Sequence, residues 1–460
     1  MDLKKIDFKK FNIPVLVLFS VLSGLFFSCI SFKGDDIFMS QSADFLGFAR
    51  AMLDGKVLYR DLVDHKGVLQ FVPSLISQAI SRTSLYPYFI MNIASRVIFT
   101  IVTYFFVKKH SKIKNVSVFL QAFFVISLFY LVTLQFMDYL LVDIFFLETY
   151  LFVYDYTQTR SKPSFLGYFI IGLLIGVIFS IKYTLVLYFV PIFLFFTIKT
   201  RKNTSWKSGI FSILGGILGV VAGFLPQIWY CTKFGVWNDF FDAMFLVKSN
   251  SCVIYICLGF GLLLTVMYGF FIYKDKQGAD DTLPEIALNI GILLAFPSFS
   301  FVPYLYAPIL YLEVLIWICS YKKRKPAVST AAFFGFILIC FIVYPLIINF
   351  FHYPTTKSVA IKYGITYENI LYIGEDFGFG LYNEQSYKEN VTFLPSRAIT
   401  EETVPNILEQ YQPLLESGEY EYVFLLRHKL FAPFEEIVSK NYEYAEKVRV
   451  GNIYKKRAEN

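Results

Sequence analysis

Residues 31–85 concentrate acids, cations and a histidine between two apolar runs of the chain. The acidic pair Asp35 and Asp36 follows the first apolar run, and Lys66 stands just before the chain becomes apolar again. A carboxylate can orient or deprotonate a hydroxyl, and a cation can stabilise a departing phosphate. This spacing predicts an active site where the chain meets water at a membrane surface.

The run Asp64-His65-Lys66 is an unusual choice for an inert turn, because it lies beside apolar sequence. Asp61, Asp64 and His65 could instead bind a divalent metal ion, although three ligands within five residues have no fixed helical spacing. Adjacent acids also commonly cap a helix or solvate a loop, which is the alternative for the acidic pair. The residues alone leave these interpretations open.

The composition indicates that most of the chain is embedded in a membrane. Hydrophobic residues make up 56% of the 460 residues, and the mean hydropathy is +0.55. Both values are far above those of soluble globular proteins. The net charge of +7 comes from short basic clusters between apolar runs, which is typical of cytoplasmic loops and argues against nucleic-acid binding. The six cysteines show no CxxC spacing and are interpreted as packing residues.

Eleven apolar runs predict membrane spans, because each can cross most of a hydrocarbon layer about 30 Å thick. Four lysines precede the first run, which predicts a cytoplasmic amino terminus. Within the charged loop, 40–53 and 68–80 have helical patterns that suit the membrane interface. The predicted spans are 13–30, 86–107, 116–134, 138–154, 164–181, 183–198, 208–230, 252–273, 286–301, 303–320 and 329–350.

The distribution of basic residues predicts the orientation of these spans. If the spans alternate, the cytoplasmic loops receive the basic clusters, including residues 322–325, whereas the short opposite loops receive only single lysines such as Lys182. The loop 31–85 and the segment 231–251 then face outward. Lys182 lies on the same face as the charged loop, where it could contact phosphate or extend towards lipid headgroups.

From residue 351 onward the composition is that of a soluble domain. The predicted fold is therefore an all-α polytopic membrane domain of about eleven transmembrane helices at 1–350, followed by a small extracytoplasmic α/β domain at 351–460. The predicted elements of the second domain are strands at 369–374 and 421–426, a helix at 401–415 and a closing hairpin at 442–455.

Three stretches of the sequence resemble one enzyme family, the bacterial integral-membrane glycosyltransferases of the GT-C superfamily. This group includes protein O-mannosyltransferases and the aminoarabinose transferase of lipid A. The stretches are the outer loop with its acidic pair, Ala49-Arg50-Ala51-Met52-Leu53-Asp54-Gly55 and residues 59–67; the glycine-rich Gly172-Leu173-Leu174-Ile175-Gly176 followed by Lys182; and the outward α/β tail.

The resemblance implies an inverting transfer of a sugar from a polyprenyl-phosphate donor to an envelope glycan such as teichoic acid, capsule or wall polysaccharide. A lipid-linked donor also fits the predicted orientation, because an outward-facing enzyme has no nucleotide sugar at hand. Asp35 or Asp36 would be the catalytic base, and Lys66 would contact the donor phosphate. No cofactor is assigned with certainty, and a divalent metal ion remains possible. The remaining substrate-binding residues would be His65, Asp64, Arg50, Asp61 and Lys182.

The implied location is the bacterial cytoplasmic membrane, with membrane lipids as neighbours and no nucleic-acid partner. Two other functions use the same setting. A transporter or flippase of lipid-linked glycans would need acids deep in the helix bundle, for which Asp143 and Glu148 are candidates. A polysaccharide polymerase would normally place arginines in a large late outer loop, and 231–251 contains none.

Overall fold

The structure is a computed structural model in two compact units. Unit 1 comprises Met1–Ser28, Met91–Ile228 and Ser249–Ile347, and unit 2 comprises Cys29–Ile90, Trp229–Lys248 and Ile348–Asn460. The described residues are 12–33, 40–62, 64–82, 86–114, 116–133, 140–160, 162–189, 205–245, 311–312, 314–315, 318–319, 356–366, 368–374, 391–393, 401, 404–448 and 451–458. They are mostly helical and include one small C-terminal sheet, so the predicted fold is confirmed at this level.

The helices follow the apolar and amphipathic patterns of the sequence. Short 3-10 helices cover Val68–Phe71, Tyr183–Tyr188 and Lys429–Phe431. The α-helices are α1 (Asn12–Lys33), α2 (Ser40–Leu53), α3 (Val72–Ile80), α4 (Tyr86–His110), α5 (Val118–Thr133), α6 (Leu140–Thr159), α7 (Phe165–Phe179), α8 (Trp206–Phe234), α9 (Trp237–Phe245), α10 (Thr356–Tyr363), α11 (Val404–Ser417) and α12 (Ala432–Asn441).

Helices α4 and α8 are long and apolar enough to cross a membrane, judged by length and composition. Helices α1, α5, α6 and α7 also coincide with predicted spans, but within the described residues only α4 and α8 meet both criteria. The predicted span 183–198 begins as a 3-10 helix, and its remainder lies outside the described residues. The predicted spans 252–273, 286–301 and 329–350 also lie outside them, as does most of 303–320.

Helices α7 and α8 of unit 1 approach each other through glycines. A Cβ atom added at Gly172 would collide with the carbonyl oxygen of Gly216, and one added at Gly219 would collide with that of Phe169. Small residues one turn apart allow such close packing of backbones, which is a common way for helices to associate in membranes. The glycine-rich stretch that contributes to the family resemblance therefore has a packing role in this chain.

The C-terminal part of unit 2 contains a five-stranded mixed sheet made of β1 (Ile370–Gly374), β2 (Val391–Phe393), β3 (Tyr422–Leu426), β4 (Tyr442–Lys447) and β5 (Gly451–Lys456). The strand order is β2-β1-β3-β5-β4. Strands β1, β2 and β3 pair in parallel, whereas β3–β5 and β5–β4 are antiparallel. Both predicted strands, the hairpin and the intervening helix are present.

Strands β1 and β3 are buried along their whole length, which explains why their sequences are unbroken apolar runs. Leu371 and Val423 belong to a core that also contains Leu415 of α11 and Phe434 and Val438 of α12. This part of unit 2 therefore has an apolar core that joins the sheet to two of its helices.

The glycine contact between α7 and α8 gives a matched pair of substitutions. We expect Gly219→Ala to reduce the free energy of unfolding by about 1–3 kcal/mol, because the added methyl group forces the two backbones apart. In contrast, a methyl group at Gly216 would lie 3.5 Å from the nearest atom, a ring carbon of Tyr168. Gly216→Ala should therefore be neutral or slightly stabilising. Thermal unfolding in detergent measures both variants, and equal destabilisation would contradict the tight contact.

Candidate functional site

The candidate site lies in the loop between α2 and α3 of unit 2. The ring of Phe71, at the start of α3, packs against Phe45 and Phe48 of α2 at centroid distances of 5.8 and 5.3 Å. All three rings are buried. The helical patterns predicted at 40–53 and 68–80 are confirmed. The aromatic contact between the two helical segments holds both ends of the loop together.

Tyr59 holds the middle of this loop in a strained conformation. Its φ of 77° is in the left-handed region, which costs a non-glycine residue on the order of 1–3 kcal/mol. Its amide donates to the carbonyl oxygen of Leu62 at 2.8 Å, and its hydroxyl donates to that of Lys66 at 2.9 Å. The buried ring also packs edge-on against Phe240 and Tyr230. Tyr59 therefore fixes the position of the Lys66 backbone.

Asp64, His65 and Lys66, here called the Asp64 cluster, are joined by direct contacts. Lys66 Nζ lies 3.0 Å from each carboxylate oxygen of Asp64, and His65 Nδ1 lies 3.2 Å from Asp64 Oδ1. Asp64 and Lys66 are buried, whereas the His65 side chain is 25% exposed. The Lys66 ammonium also lies 5.0 Å from the centre of the Phe45 ring.

The electrostatics of the cluster keep Asp64 ionised. Burial by itself raises the pKa of Asp64, but the charge of Lys66 and the hydrogen bonds from His65 and Lys66 outweigh burial and hold that pKa well below its usual range. One carboxylate thus orients a lysine and a histidine. The arrangement holds a buried ammonium and a partly exposed imidazole against the same carboxylate.

Arg50 is buried in α2 and contacts residues at the end of α3. Its Nε donates to Gln78 Oε1 at 3.2 Å, and its Nη2 donates to the carbonyl oxygen of Arg82. The side chain of Arg82 forms an ion pair with Asp54 at 2.7 Å. These contacts give Arg50 a structural role in joining the two helices, which accounts for its burial without a ligand.

Asp61 closes a turn at the outer edge of the loop. Its Oδ2 accepts from the Val57 amide at 2.7 Å, and both its oxygens accept from Arg60, at 3.1 and 3.3 Å. Burial raises the pKa of Asp61, whereas the hydrogen bonds from Arg60 and Val57 lower it. The hydrogen bonds together outweigh burial, so the pKa lies below its usual value. Asp61 therefore contacts a different set of partners from Asp64.

These contacts bear on the metal interpretation. Among the residues that the structure describes, no group of three or more His, Cys, Asp or Glu side chains could hold a metal ion. Asp61 accepts hydrogen bonds from Arg60 and Val57, whereas Asp64 accepts them from Lys66. A metal site made of Asp61, Asp64 and His65 is therefore not supported.

Lys182 belongs to unit 1, where it lies between α7 and the 3-10 helix Tyr183–Tyr188. Its amide donates to the carbonyl oxygen of Ile178 at 2.7 Å, and its side chain is buried. The charge of Lys182 acts on the carboxyl group of Asp143, a buried residue of α6. Burial argues against the alternative that Lys182 extends to lipid headgroups.

The predicted catalytic acids, Asp35 and Asp36, lie outside the described residues, so their role stays a prediction. Sequence reasoning missed the part played by Tyr59, because nothing in the chain marks a tyrosine for a left-handed conformation. Asp64, the partner of Lys66, lies only two residues earlier in the sequence. Its signal was the short spacing of opposite charges beside an apolar run.

Comparison with known proteins gives no family for this chain. No protein-family model matches the sequence, and a search of curated proteins finds no similar one.

Asp64 should make folding sensitive to acid. Its pKa is lower in the folded chain than the value of about 3.9 in an unfolded chain, so its contribution to stability is present above about pH 4 and is lost as the pH falls below that value. We expect Asp64→Asn to be less stable at pH 7, because removing one partner of a buried ion pair costs about 3–5 kcal/mol.

The same variant should also lose less stability than the parent between pH 5 and pH 3. Thermal unfolding in detergent across that range measures the difference. Glu409→Gln, which changes an exposed acid of α11, is the control and should follow the parent. Equal pH dependence of the parent and Asp64→Asn would contradict the ionised buried carboxylate.

Proposed function

We propose that this chain is a membrane glycosyltransferase. It would move a sugar from a polyprenyl-phosphate donor to an extracytoplasmic envelope glycan, such as teichoic acid, capsule or another wall polysaccharide. The observation that carries the proposal is the Asp64 cluster: a buried lysine and a histidine held by one buried carboxylate. Removing each ion of such a pair from water costs several kcal/mol. Buried charged pairs of this kind are therefore uncommon in inert turns and common at functional sites.

The surface of α8 supports a membrane location. Two exposed tryptophans, Trp206 and Trp229, stand roughly 35 Å apart at about 1.5 Å per residue, close to the thickness of a bilayer core. Tryptophan is enriched at both membrane interfaces. The apolar side chains exposed between them are Ile210, Phe211, Ile213, Leu214, Ile217, Leu218, Val221 and Leu225.

The proposed chemistry assigns distinct roles to the loop residues. Asp35 or Asp36 accepts the proton of the acceptor hydroxyl as its oxygen bonds to the anomeric carbon of the donor sugar. The bond from that carbon to the phosphate oxygen breaks with inversion, and the phosphate leaves with additional negative charge. Lys66 and His65 stabilise this charge, and Asp64 positions both of them.

Transfer of radiolabelled sugar tests these roles. Membranes containing the intact chain would be given a panel of polyprenyl-phosphate sugars and envelope material as acceptor. We expect the double variant Asp64→Asn with Lys66→Gln to lose transfer by about 10²–10³-fold, because the developing phosphate charge loses a positioned cation. The double variant keeps neutral hydrogen-bonding groups in place, so it avoids leaving one buried charge alone.

Asp35→Asn and Asp36→Asn identify the base, since one of them should abolish transfer and the other should not. Lys440→Ala, which removes an exposed lysine of α12, is the control and should transfer like the parent. The amount of folded protein is measured alongside. If every variant transfers like the parent, or if no donor is used, the glycosyltransferase proposal is wrong.

Transport of a lipid-linked glycan is the second candidate. The observation in its favour is Asp143, which is buried in α6 and has one carboxylate oxygen without a hydrogen-bond partner among the described residues. Buried acids within membrane helices commonly serve transport. If no sugar is transferred while lipid-linked glycan crosses the membrane in a manner that depends on Asp143, transport becomes the preferred function.

The proposed topology has eleven spans, a cytoplasmic amino terminus and an extracytoplasmic carboxyl-terminal domain. Alkaline phosphatase, which is active only outside the cytoplasm, can be fused after chosen residues. We expect activity after residues 82, 248 and 352, and none after residues 112, 204 and 324, because alternating spans place the basic clusters inside. Activity at both 82 and 112 would contradict the assignment of α4 as a span.

A further inference from the structure

Helix α9 of unit 2 presents aromatic side chains on two faces. One face packs inward: Phe240 is buried and its ring lies 5.1 Å from that of Tyr59. On the other side, the Phe241 side chain is 48% exposed and its ring is nearly parallel to that of Trp237, at 5.9 Å and 27°. The Trp237 indole donates to Thr232 Oγ1 at 3.3 Å, which fixes the orientation of its ring. The pair therefore forms a small, oriented aromatic surface.

Two polar residues of the first loop directly follow Tyr59, whose ring packs on Phe240 of α9. The guanidinium of Arg60 donates two hydrogen bonds to Asp61, and its charge also interacts with that of Asp239 on α9. The Arg60 side chain is 55% exposed. A planar arginine and carboxylate pair offers both donors and acceptors with fixed directions. The aromatic surface and the polar pair thus belong to one neighbourhood in unit 2.

This combination suits the ring of a sugar. A pyranose has apolar C–H faces that pack on aromatic rings and hydroxyl groups that need paired donors and acceptors at the edge. An anchor in a lipid surface would instead favour basic residues around the aromatic rings. Helix α9 carries Asp239 and Asp242 and no basic residue, so its charge opposes anionic headgroups and permits a neutral glycan.

We infer that Trp237 and Phe241, together with Arg60 and Asp61, form a binding site for neutral sugar rings of the glycan acceptor. The inference deepens the proposed function and rests on it for the identity of the ligand as acceptor. It also restricts that acceptor to a neutral glycan, because the acids of α9 repel the phosphates of teichoic acid. Binding itself does not require transfer. Phe240, beneath the aromatic surface, packs on the same Tyr59 that holds Lys66, so the site is built onto the loop that carries the Asp64 cluster.

Direct binding tests the site without any donor. The full chain in detergent is titrated calorimetrically with chitohexaose and with maltohexaose as neutral probes. We expect at least one probe to bind, Phe241→Ala to weaken its binding about tenfold, and Phe241→Tyr to retain it. Phe211→Ala, which removes an exposed ring from α8, is the matched control and should bind like the parent. Absence of binding to both probes, or equal binding by Phe241→Ala, overturns the inference.

A second measurement separates a glycan site from a lipid anchor. Trp206, Trp229 and Trp317 are replaced by Phe, so that fluorescence reports Trp237 alone. The protein is placed in phosphatidylcholine vesicles whose acyl chains carry bromine, which quenches tryptophan at the membrane. We expect little quenching by bromine and a change of emission on adding the bound hexasaccharide. Strong quenching by the brominated chains assigns the surface to the membrane and overturns the inference.

Measurements of probe binding and of sugar transfer together show whether the sugar site, the glycosyltransferase proposal or both are wrong. Probe binding that depends on Phe241, in a chain that transfers no sugar from any donor, keeps the site and rejects the glycosyltransferase. If transfer occurs, Phe241→Ala should raise the KM for the acceptor about tenfold and leave kcat within about twofold, because the ring binds the acceptor away from the reacting atoms. Transfer with an unchanged KM rejects the site and keeps the function.

Discussion

The buried contact between Asp64 and Lys66 is the constraint on which the described loop depends. Two charges withdrawn from water are stable only when they stay in contact and their remaining hydrogen-bonding groups are satisfied. Three parts of the chain meet that condition here: Phe45 of α2 covers the ammonium, His65 contacts the carboxylate, and Tyr59 binds the Lys66 carbonyl. The loop is therefore organised around these charges together with its buried apolar side chains, such as Leu58 and Leu62.

Tyr59 connects the Asp64 cluster with the proposed sugar site. Its hydroxyl contacts the Lys66 backbone, while its ring supports Phe240 beneath the exposed Phe241. The strained backbone conformation is stable because these contacts, and the amide hydrogen bond to Leu62, all require it. A glycine would relieve the strain but would lose every one of the side-chain contacts.

Helix α8 shows in unit 1 how an almost uniformly apolar segment can have two different faces. Its glycines meet the backbone of α7, whereas its large aliphatic side chains remain exposed. Where two helices lie in lipid, close packing of small residues and interhelical hydrogen bonds contribute to their association. Both occur here, since Ser180 Oγ donates to the carbonyl oxygen of Gly223 at 3.3 Å. Mean hydropathy alone cannot distinguish these faces, because both are apolar.

The sequence by itself determined those features that depend on local pattern. The apolar runs at 86–107 and 208–230 predicted α4 and α8, and short apolar runs predicted the buried strands β1 and β3. Hydrophobic periodicity is a property of neighbouring residues, so it can be read without the fold. Only the tertiary structure decided that Arg50 joins two helices, that Asp64 rather than solvent faces Lys66, and that Tyr59 has a positive φ. These three features depend on residues that are distant in sequence, because such residues exclude water from a charge or stabilise an unusual backbone angle. A local sequence pattern does not show which distant residues those are.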